Sequence, residues 1–242
     1  MTVMESLEAG AGRLGLQLSA KQLEQFHIYW EELVEWNQRV NLTGITGYQE
    51  VQTKHFLDSL TVSLAWPPSR ANATIRIIDV GTGSGIPGIP LKIVFPGVRL
   101  VLLEATEKKA AFLHHISNRL MLADIEVVTG RAEDAAHQRQ YRDSFDIVVS
   151  RAVAPLVTLA ELALPFCKVG GRFIAQKKGG LVPEISRAEQ AIKLLGGRLR
   201  EIMNIELEEF PDNRQLVVID KELATPEPYP RRPGIPSKRP LS

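Results

Sequence analysis

The chain is poor in the features that mark secreted, membrane-spanning and strongly charged proteins. Its 242 residues include one cysteine, Cys167. One thiol can form neither an internal disulfide nor a cysteine-rich zinc site, so we expect a reducing, cytoplasmic setting and no metal. Its apolar runs are all far shorter than the roughly 20 residues that a membrane helix needs. Residues 1–10 have no basic segment followed by an apolar run, so we expect no secretory signal.

An excess of one charge is also missing. The 29 Lys and Arg residues against 28 Asp and Glu residues give a net charge of +1. Binding of nucleic acid by bulk charge is therefore not expected, although a local basic cluster would suffice. The content of 44% hydrophobic and 24% charged residues is that of an ordinary globular protein. We predict three parts: a helical N-terminal extension (1–70), an α/β domain (71–220) and a basic, proline-rich tail (221–242).

The N-terminal part has helical patterns. Ser19 followed by Gln22 is a capping-box pattern, and it predicts a helix that begins there and ends near Asn37. A second helix is predicted over about residues 48–65, ended by Pro67 and Pro68. The apolar residues of the first helix recur at helical spacing and are Leu23, Phe26, Trp30, Leu33 and Val34.

The middle of the chain alternates short β-branched runs with helical stretches. This alternation predicts an open, mostly parallel seven-stranded sheet with right-handed crossovers. Residues 199–207 and 215–219 predict an antiparallel hairpin at the sheet edge. The predicted parallel strands are 75–80, 99–104, 125–128, 145–149 and 172–176, with helices that begin near Pro87, Glu107, Glu133 and Pro155.

A glycine-rich loop follows the first of these strands. The segment Asp79-Val80-Gly81-Thr82-Gly83-Ser84-Gly85-Ile86-Pro87-Gly88 joins a strand to a helix. Glycines permit a tight turn and let a ligand approach the backbone. Glu104 lies 23 residues after Gly81, at the end of the next strand, where a carboxylate can accept hydrogen bonds from ribose hydroxyls. A nucleoside-containing cofactor is therefore expected at this edge.

Two cofactor classes compete for this loop. A dinucleotide fingerprint starting at Gly81 has Ile86 at its sixth position, where glycine or alanine is required. The carboxylate of Asp79 disfavours a pyrophosphate and suits a sulfonium cation. S-adenosylmethionine is therefore preferred over a nicotinamide dinucleotide. A glycine turn without any ligand is a third interpretation, against which the following helix and the distal acid argue.

The loop and several other segments together resemble one family, the small-subunit ribosomal RNA methyltransferase G family, also called glucose-inhibited division protein B. The resemblance covers about residues 20–241 and departs at Lys177-Lys178, where a single lysine before glycine is expected. The matching segments outside the loop are Asn41–Thr43, His55–Leu60, Glu104–Lys109, Gly130–Glu133, Ser150–Ala154 and Arg231–Leu241.

The resemblance implies a Rossmann-like methyltransferase fold and a function. The reaction would be methyl transfer from S-adenosylmethionine to N7 of a guanine in small-subunit (16S) ribosomal RNA, free or in the small ribosomal subunit, by a monomer. Glu104, Ala105 and Thr106 would meet the ribose and adenine, with Ala132 and Glu133 at the adenine and Arg151 at the mouth. The expected cofactor-binding residues are Gly81, Gly83, Ile86, Glu104, Ala105, Thr106, Ala132, Glu133 and Arg151.

The residues themselves indicate no catalytic base or nucleophile. N7 of guanine carries a free lone pair, so no proton must leave before attack. Ser150-Arg151-Ala152-Val153 stands where amino-group methyltransferases carry an Asn/Asp-Pro-Pro-aromatic motif, and Cys167 is expected to be a core residue. Arg151 would contact the cofactor or an RNA phosphate, or form a salt bridge to Asp146 or Glu133.

Two further groups of residues have expected roles. His55 and Asp58 share a helix face and could order the N-terminal helices against the site, although a capping or buried polar role is the preferred interpretation. The last 22 residues hold six of the fifteen prolines, and five basic against two acidic residues give them a charge of +3. We expect an extended tail that forms no helix and no core. Its Arg231, Arg232, Lys238 and Arg239 would bind RNA, unless the tail only aids solubility.

Three other functions remain as alternatives to this interpretation. The chain could methylate another RNA, or it could be a nicotinamide-dependent oxidoreductase. It could also be a non-catalytic RNA-binding assembly factor, which would need no cofactor.

Overall fold

The computed structural model describes residues 4–66, 75–151, 154–210 and 212–241. A single seven-stranded sheet runs through the chain, as predicted. Its strands are β1 (Arg76–Val80), β2 (Arg99–Glu104), β3 (Ile125–Thr129), β4 (Phe145–Arg151), β5 (Cys167–Lys178), β6 (Gly197–Ile205) and β7 (Arg214–Lys221). Their order across the sheet is β3-β2-β1-β4-β5-β7-β6.

Strand direction sets the position of the ligand edge. β1 to β5 are parallel, and β7 runs antiparallel between β5 and β6. Ile78 at the centre of β1 pairs with Val101 on one side and Val148 on the other. The predicted parallel sheet with an antiparallel edge hairpin is confirmed. The carboxyl ends of β1 to β5 therefore share one edge, where open α/β sheets bind ligands.

Helices fill the connections between the strands. The second predicted N-terminal helix changes type along its length, with a π-helix over Gln52–Leu57 and a 3-10 turn over Thr61–Ala65. The sequence patterns missed α1 and α9. Within the described ranges, no helix has the length and apolarity of a membrane span. The α-helices are α1 (Glu5–Arg13), α2 (Ala20–Asn37), α3 (Tyr48–Val51), α4 (Asp58–Leu60), α5 (Gly88–Val94), α6 (Glu107–Arg119), α7 (Ala132–Ala135), α8 (Leu156–Ala163), α9 (Val182–Leu194) and α10 (Ile235–Lys238).

The sheet buries both of its faces. Successive side chains of a strand point to opposite faces. Ile77 accordingly packs with α1, α2, α5 and α6, whereas Ile78 packs with α7, α8 and α9. The strands read as continuous apolar runs for this reason. The N-terminal helices share the first of these cores with the sheet and lie close to its ligand edge.

Capping and aromatic packing fix the N-terminal helices. Ser19 and Gln22 form the predicted capping box at the start of α2. Phe26 and Phe56 are fully buried with ring centroids 5.0 Å apart. The predicted stop at Pro67 and Pro68 lies outside the described residues. The predicted division of the chain at residues 70 and 220 stays a prediction.

The C-terminal segment corrects one expectation. Residues 221–242 were expected to form no helix and no core, and this is wrong. Ile235–Lys238 forms α10, and Thr225 and Pro236 are buried. The Thr225 hydroxyl donates to the carbonyl oxygen of Leu195 at 2.8 Å, and the buried ammonium group of Lys221, at the end of β7, donates to Thr225. Carbonyl acceptors of the domain therefore fix the segment to the surface, which its proline content did not indicate.

Candidate active site

The glycine loop turns sharply between β1 and α5. Gly81, Gly83 and Gly85 have φ values of +71°, +62° and +89°, in the left-handed region that side chains with a Cβ disfavour. The amides of Gly81 and Thr82 both donate to the carbonyl oxygen of Leu103. A Cβ built on Gly83 would meet no atom within 4 Å. The loop therefore leaves open space beside its backbone, as a bound ligand requires.

Asp79 places an unpaired acceptor beneath this loop. Its Oδ2 accepts from the Thr82 hydroxyl at 2.6 Å and the Gly88 amide at 2.8 Å. Its Oδ1 is buried and has no hydrogen-bond partner in the described part of the chain. Burial raises the pKa of Asp79 to about 6, although the hydrogen bonds from Thr82 and Gly88 oppose this shift. A buried, unpaired carboxylate oxygen suits a cationic ligand group.

Glu104 lies at the end of β2 and connects the glycine loop to the loop that follows β2. Its Oε2 accepts from the Gly83 amide at 3.0 Å, and its Oε1 accepts from the Thr106 amide at 2.9 Å. Each carboxylate oxygen keeps a lone pair for another donor. The acid therefore keeps free acceptor sites at the ligand edge, and its expected role toward ribose hydroxyls stays a prediction.

A cavity of about 210 Å³ opens at the ends of β1 to β4. Four of the residues predicted to bind the cofactor line it: Gly81, Ala105, Ala132 and Glu133. Gly83, Glu104 and Thr106 are not among its lining residues, but hydrogen bonds join them to one another and each lies within two residues of a lining residue. The full lining is Val80, Gly81, Leu103, Ala105, Gly130, Arg131, Ala132, Glu133, Ala154, Leu162, Gly234 and Ser237.

Two predicted residues lie elsewhere. Ile86 is 4% exposed and packs in the first core. Arg151, at the end of β4, lines a second pocket of about 310 Å³ at the ends of β4 and β5. Ala152 and Val153, which follow it in the matching segment, lie outside the described residues. The second pocket is lined by Ile45, Lys54, His55, Asp58, Arg151, Gln176, Lys177 and Lys178.

Tyr29 is a site residue that the sequence analysis missed. Its hydroxyl donates to the carbonyl oxygen of Ser84 at 2.5 Å, so α2 holds the glycine loop directly. A Cβ on Gly85 would lie 2.9 Å from the Tyr29 hydroxyl oxygen. The available signal was a tyrosine between Phe26 and Leu33 on the apolar face of the helix, where a polar tip needs a buried partner.

Arg151 is held by the N-terminal helices. Its Nη1 donates to the carbonyl oxygen of Lys54 at 2.9 Å and to Asp58 Oδ2 at 3.0 Å, and its Nη2 donates to His55 Nδ1 at 3.1 Å. The salt-bridge partner is therefore Asp58, and neither Asp146 nor Glu133. The π-helix carries Lys54 and His55, and Asp58 begins α4 directly after it; π-helical turns are frequent at functional sites. His55 and Asp58 thus connect the N-terminal helices to the end of β4, and their role toward the site stays a prediction.

His55 is a neutral group with both ring nitrogens engaged. Burial, reinforced by the charge of Arg151, lowers the pKa of His55 to about 3. Because Arg151 can only donate, Nδ1 is the acceptor, and Nε2–H donates to the Thr43 hydroxyl oxygen at 2.8 Å. No free base is left at this imidazole.

The basic residues predicted to bind RNA divide into two kinds. The side chains of Arg232, Lys238 and Arg239 are exposed. Arg231 instead forms an ion pair at 2.7 Å with Glu161, whose side chain is fully buried.

Comparison with known proteins identifies the family. A sequence model of the family described as rRNA small subunit methyltransferase G matches residues 22–217. The chain belongs to this family. The Ribosomal RNA small subunit methyltransferase G of Dehalococcoides mccartyi (strain CBDB1) is 50% identical over 238 residues, covering 98% of this chain and 100% of the relative. That of Pelotomaculum thermopropionicum is 49% identical over 237 residues, covering 98% of each.

A solved structure agrees with the fold. A SAM-dependent methyltransferase from Aquifex aeolicus superposes with a TM-score of 0.51 at 12% sequence identity, covering 70% of this chain and 92% of that one. The predicted family, the methyltransferase fold, the enzyme class and S-adenosylmethionine as the cofactor are confirmed. Membership in this family leaves the nicotinamide oxidoreductase alternative without support. The roles of individual residues stay predictions.

The raised pKa of Asp79 predicts a pH-dependent cofactor affinity. Folding raises this pKa from 3.8 to about 6, so the contribution of Asp79 to stability is present below pH 3.8 and is lost as pH rises through about 6. A cationic ligand favours the ionised carboxylate. Affinity for S-adenosylmethionine should therefore rise severalfold between about pH 5 and about pH 7, as measured by calorimetry. Asp79→Asn should bind more weakly with a flat profile, and matching profiles for both proteins would contradict this role.

Proposed function

We propose that this chain transfers the methyl group of S-adenosylmethionine to N7 of a guanine in small-subunit ribosomal RNA. The observation that supports this most is the presence of two neighbouring cavities at the ligand edge of the sheet. Lys177, from the second pocket, donates from Nζ to the carbonyl oxygen of Ala154, which lines the first cavity, at 2.7 Å. One cavity would hold the cofactor, and the other would receive the base.

The cofactor supplies a methyl group that its sulfonium centre already activates. The task of the protein is then to hold both partners in line, which alone accounts for large rate accelerations. Asp79 would supply a negative charge to the cationic part of the cofactor, and Glu104 would accept hydrogen bonds from its ribose. Gly83 has no side chain, so it leaves space in which the cofactor would contact the backbone of the loop.

Attack by N7 requires no base, and neither His55 nor Cys167 is available as one. His55 is neutral and engaged on both nitrogens. Cys167 begins β5 at the edge opposite to Arg151, and burial raises the pKa of its thiol to about 12. A cysteine nucleophile for C5 methylation is therefore not supported, whereas an acceptor with its own lone pair is.

The second pocket suits a purine base that is flipped out of the RNA stack. Enzymes that modify bases extrude them into fitted pockets. Lys54, Lys177 and Lys178 line this pocket. Their ammonium groups are donors of the type that guanine O6 accepts, which would leave N7 free to attack. In the free protein these lysines pair with Glu50, Glu184 and Asp212.

The exposed basic side chains of the C-terminal segment would contact the RNA backbone. We predict that the triple variant Arg232→Ala, Lys238→Ala, Arg239→Ala weakens RNA binding and flattens its salt dependence. Each phosphate contact contributes about 0.7–0.9 to the slope of log K against log salt, so the slope should fall by about 2. Filter binding at several salt concentrations measures it, and an unchanged slope would remove this segment from the RNA interface.

Transfer of labelled methyl groups tests the substrate class. Small ribosomal subunits, protein-free small-subunit RNA and bulk transfer RNA are offered with labelled S-adenosylmethionine. We expect label on one or both of the first two acceptors and none on transfer RNA. Label on transfer RNA alone would support the alternative of another RNA substrate. Cofactor binding without transfer to any of the three would contradict the proposal.

The proposal also includes a monomer that acts in the cytoplasm. Light scattering of the purified protein should give the mass of one chain, with and without RNA fragments. A stable dimer mass would overturn this part.

A further inference from the structure

The C-terminal segment reaches the cofactor cavity. Gly234 and Ser237 line it together with Ala105 and Glu133, although more than 100 residues separate the two pairs in sequence. The other lining residues lie at the ends of β1 and β2, in the loops that follow β1 to β4, and on α7 and α8. Residues 229–241, here termed the C-terminal wall, complete it on the side of α7 and α8.

One ion pair fixes the wall to α8. The Arg231 backbone amide and Nε donate to Glu161 Oε1 at 2.8 and 2.9 Å, and Nη2 donates to Oε2 at 2.7 Å. The Glu161 side chain is completely buried. A buried carboxylate needs such a two-oxygen partner, because its desolvation is otherwise costly. The same Nη2 donates to the carbonyl oxygen of Arg239 at 2.7 Å, which closes the wall on itself.

Two further contacts bring the wall to the predicted adenine side. The Gly234 amide donates to Glu133 Oε1 at 2.9 Å. The Thr158 hydroxyl donates to the carbonyl oxygen of Pro236 at 3.2 Å. Glu133 is thus shared between the wall and the cavity, and its position depends on both.

We infer that the C-terminal wall is part of the cofactor site and that Arg231 is a positioning residue that holds it through Glu161. Its neighbour Arg232 is exposed and has no side-chain partner in the described part of the chain. The two adjacent arginines therefore differ in role: Arg231 holds the wall at the cofactor site, and Arg232 faces solvent, where it would contact RNA. The inference rests on the proposed function for the placement of adenine beside Ala132 and Glu133.

The pair Arg231→Ala and Arg232→Ala tests this in the full chain. Binding of S-adenosylhomocysteine is measured by calorimetry without RNA. We expect Arg231→Ala to raise Kd about tenfold, the size of one lost charge-assisted contact. We expect Arg232→Ala to leave Kd unchanged and Arg231→Lys to restore part of the affinity. 5′-Methylthioadenosine should lose the same factor, because the wall lies at the nucleoside.

Steady-state kinetics distinguish the loss of a positioning residue from general damage to the enzyme. Arg231→Ala should raise KM for S-adenosylmethionine about tenfold with kcat retained, whereas Arg198→Ala, which removes an exposed arginine of β6 paired with Glu222, should leave that KM unchanged. If Arg231→Ala does not fold, hydrogen exchange of the unmodified protein decides. Amides of residues 229–241 should exchange more slowly once S-adenosylhomocysteine is bound.

Two results would overturn the inference. One is unchanged cofactor affinity in a folded Arg231→Ala protein. The other is unchanged exchange in the wall while the glycine loop becomes protected. Because the binding and exchange measurements use no RNA, a failure to methylate ribosomal RNA would count against the proposed function and not against the wall.

Discussion

Replacing Gly83 by valine should weaken cofactor binding by at least about a hundredfold, a loss of about 2.7 kcal/mol. Gly83 has a φ of +62° and no atom within 4 Å of the position of a Cβ. The isopropyl group would enter the space that the cofactor needs, and the left-handed backbone would be strained. The Gly83 amide would also shift away from Glu104 Oε2, which it contacts at 3.0 Å. Calorimetry with S-adenosylhomocysteine measures the loss.

Gly170→Val is the matched control for this variant. Gly170 also has a left-handed φ, +79°, and open space around its Cβ position. It lies near the start of β5, at the opposite edge of the sheet from the glycine loop. Both valines therefore carry a similar backbone strain, of order 1–3 kcal/mol. Only Gly83→Val should lose the cofactor. Normal binding by that variant, or equal losses in both, would show that the cofactor does not lie against the loop.

Asp58→Ala should lower the free energy of unfolding by about 3–5 kcal/mol. Asp58 pairs through Oδ2 with Arg151 and through Oδ1 with Arg214 Nη1 at 2.6 Å. The Arg214 side chain is 2% exposed, so removal of the carboxylate leaves a buried guanidinium without its main counter-charge. Such a large effect would be about a quarter or more of the stability of a typical domain. Urea unfolding of the free protein measures it.

Asp212→Ala provides the comparison within the same cluster. Asp212 also pairs with Arg214, at 2.9 Å, but its side chain is 39% exposed. Exposed pairs contribute about 1 kcal/mol or less, so this variant should lose no more than that. Equal losses in the two variants would show that Asp58 is not the group that neutralises the buried guanidinium of Arg214.

Local patterns predicted the sheet because each strand is a separate β-branched run. The limits of β2, at Arg99 and Glu104, follow directly from such a run. The capping box at Ser19 likewise depends on residues three apart. The glycine loop could be predicted because the turn itself demands glycine. These features need no knowledge of distant parts of the chain.

Long-range pairs gave no such signal. Asp58 meets Arg214, and Glu161 meets Arg231, only because the fold brings separate elements together. Proline content and charge suggested a free tail, yet buried acceptors hold the segment on the domain. Arg151 was placed correctly at the end of a strand, but its partner Asp58 comes from the N-terminal helices. Composition indicates only how a segment behaves in isolation. Tertiary contacts with the domain determine the structure of the C-terminal segment.

The position of the methyl group on the acceptor tests the central claim most directly. Ribosomal RNA from the reaction is treated with reagents that cleave the chain at N7-methylguanine, and the fragments are sized. The account predicts one new cleavage at a guanine, which requires S-adenosylmethionine and is absent with Gly83→Val. Methylated RNA that resists this cleavage would carry its methyl group on another atom and would contradict the proposed reaction.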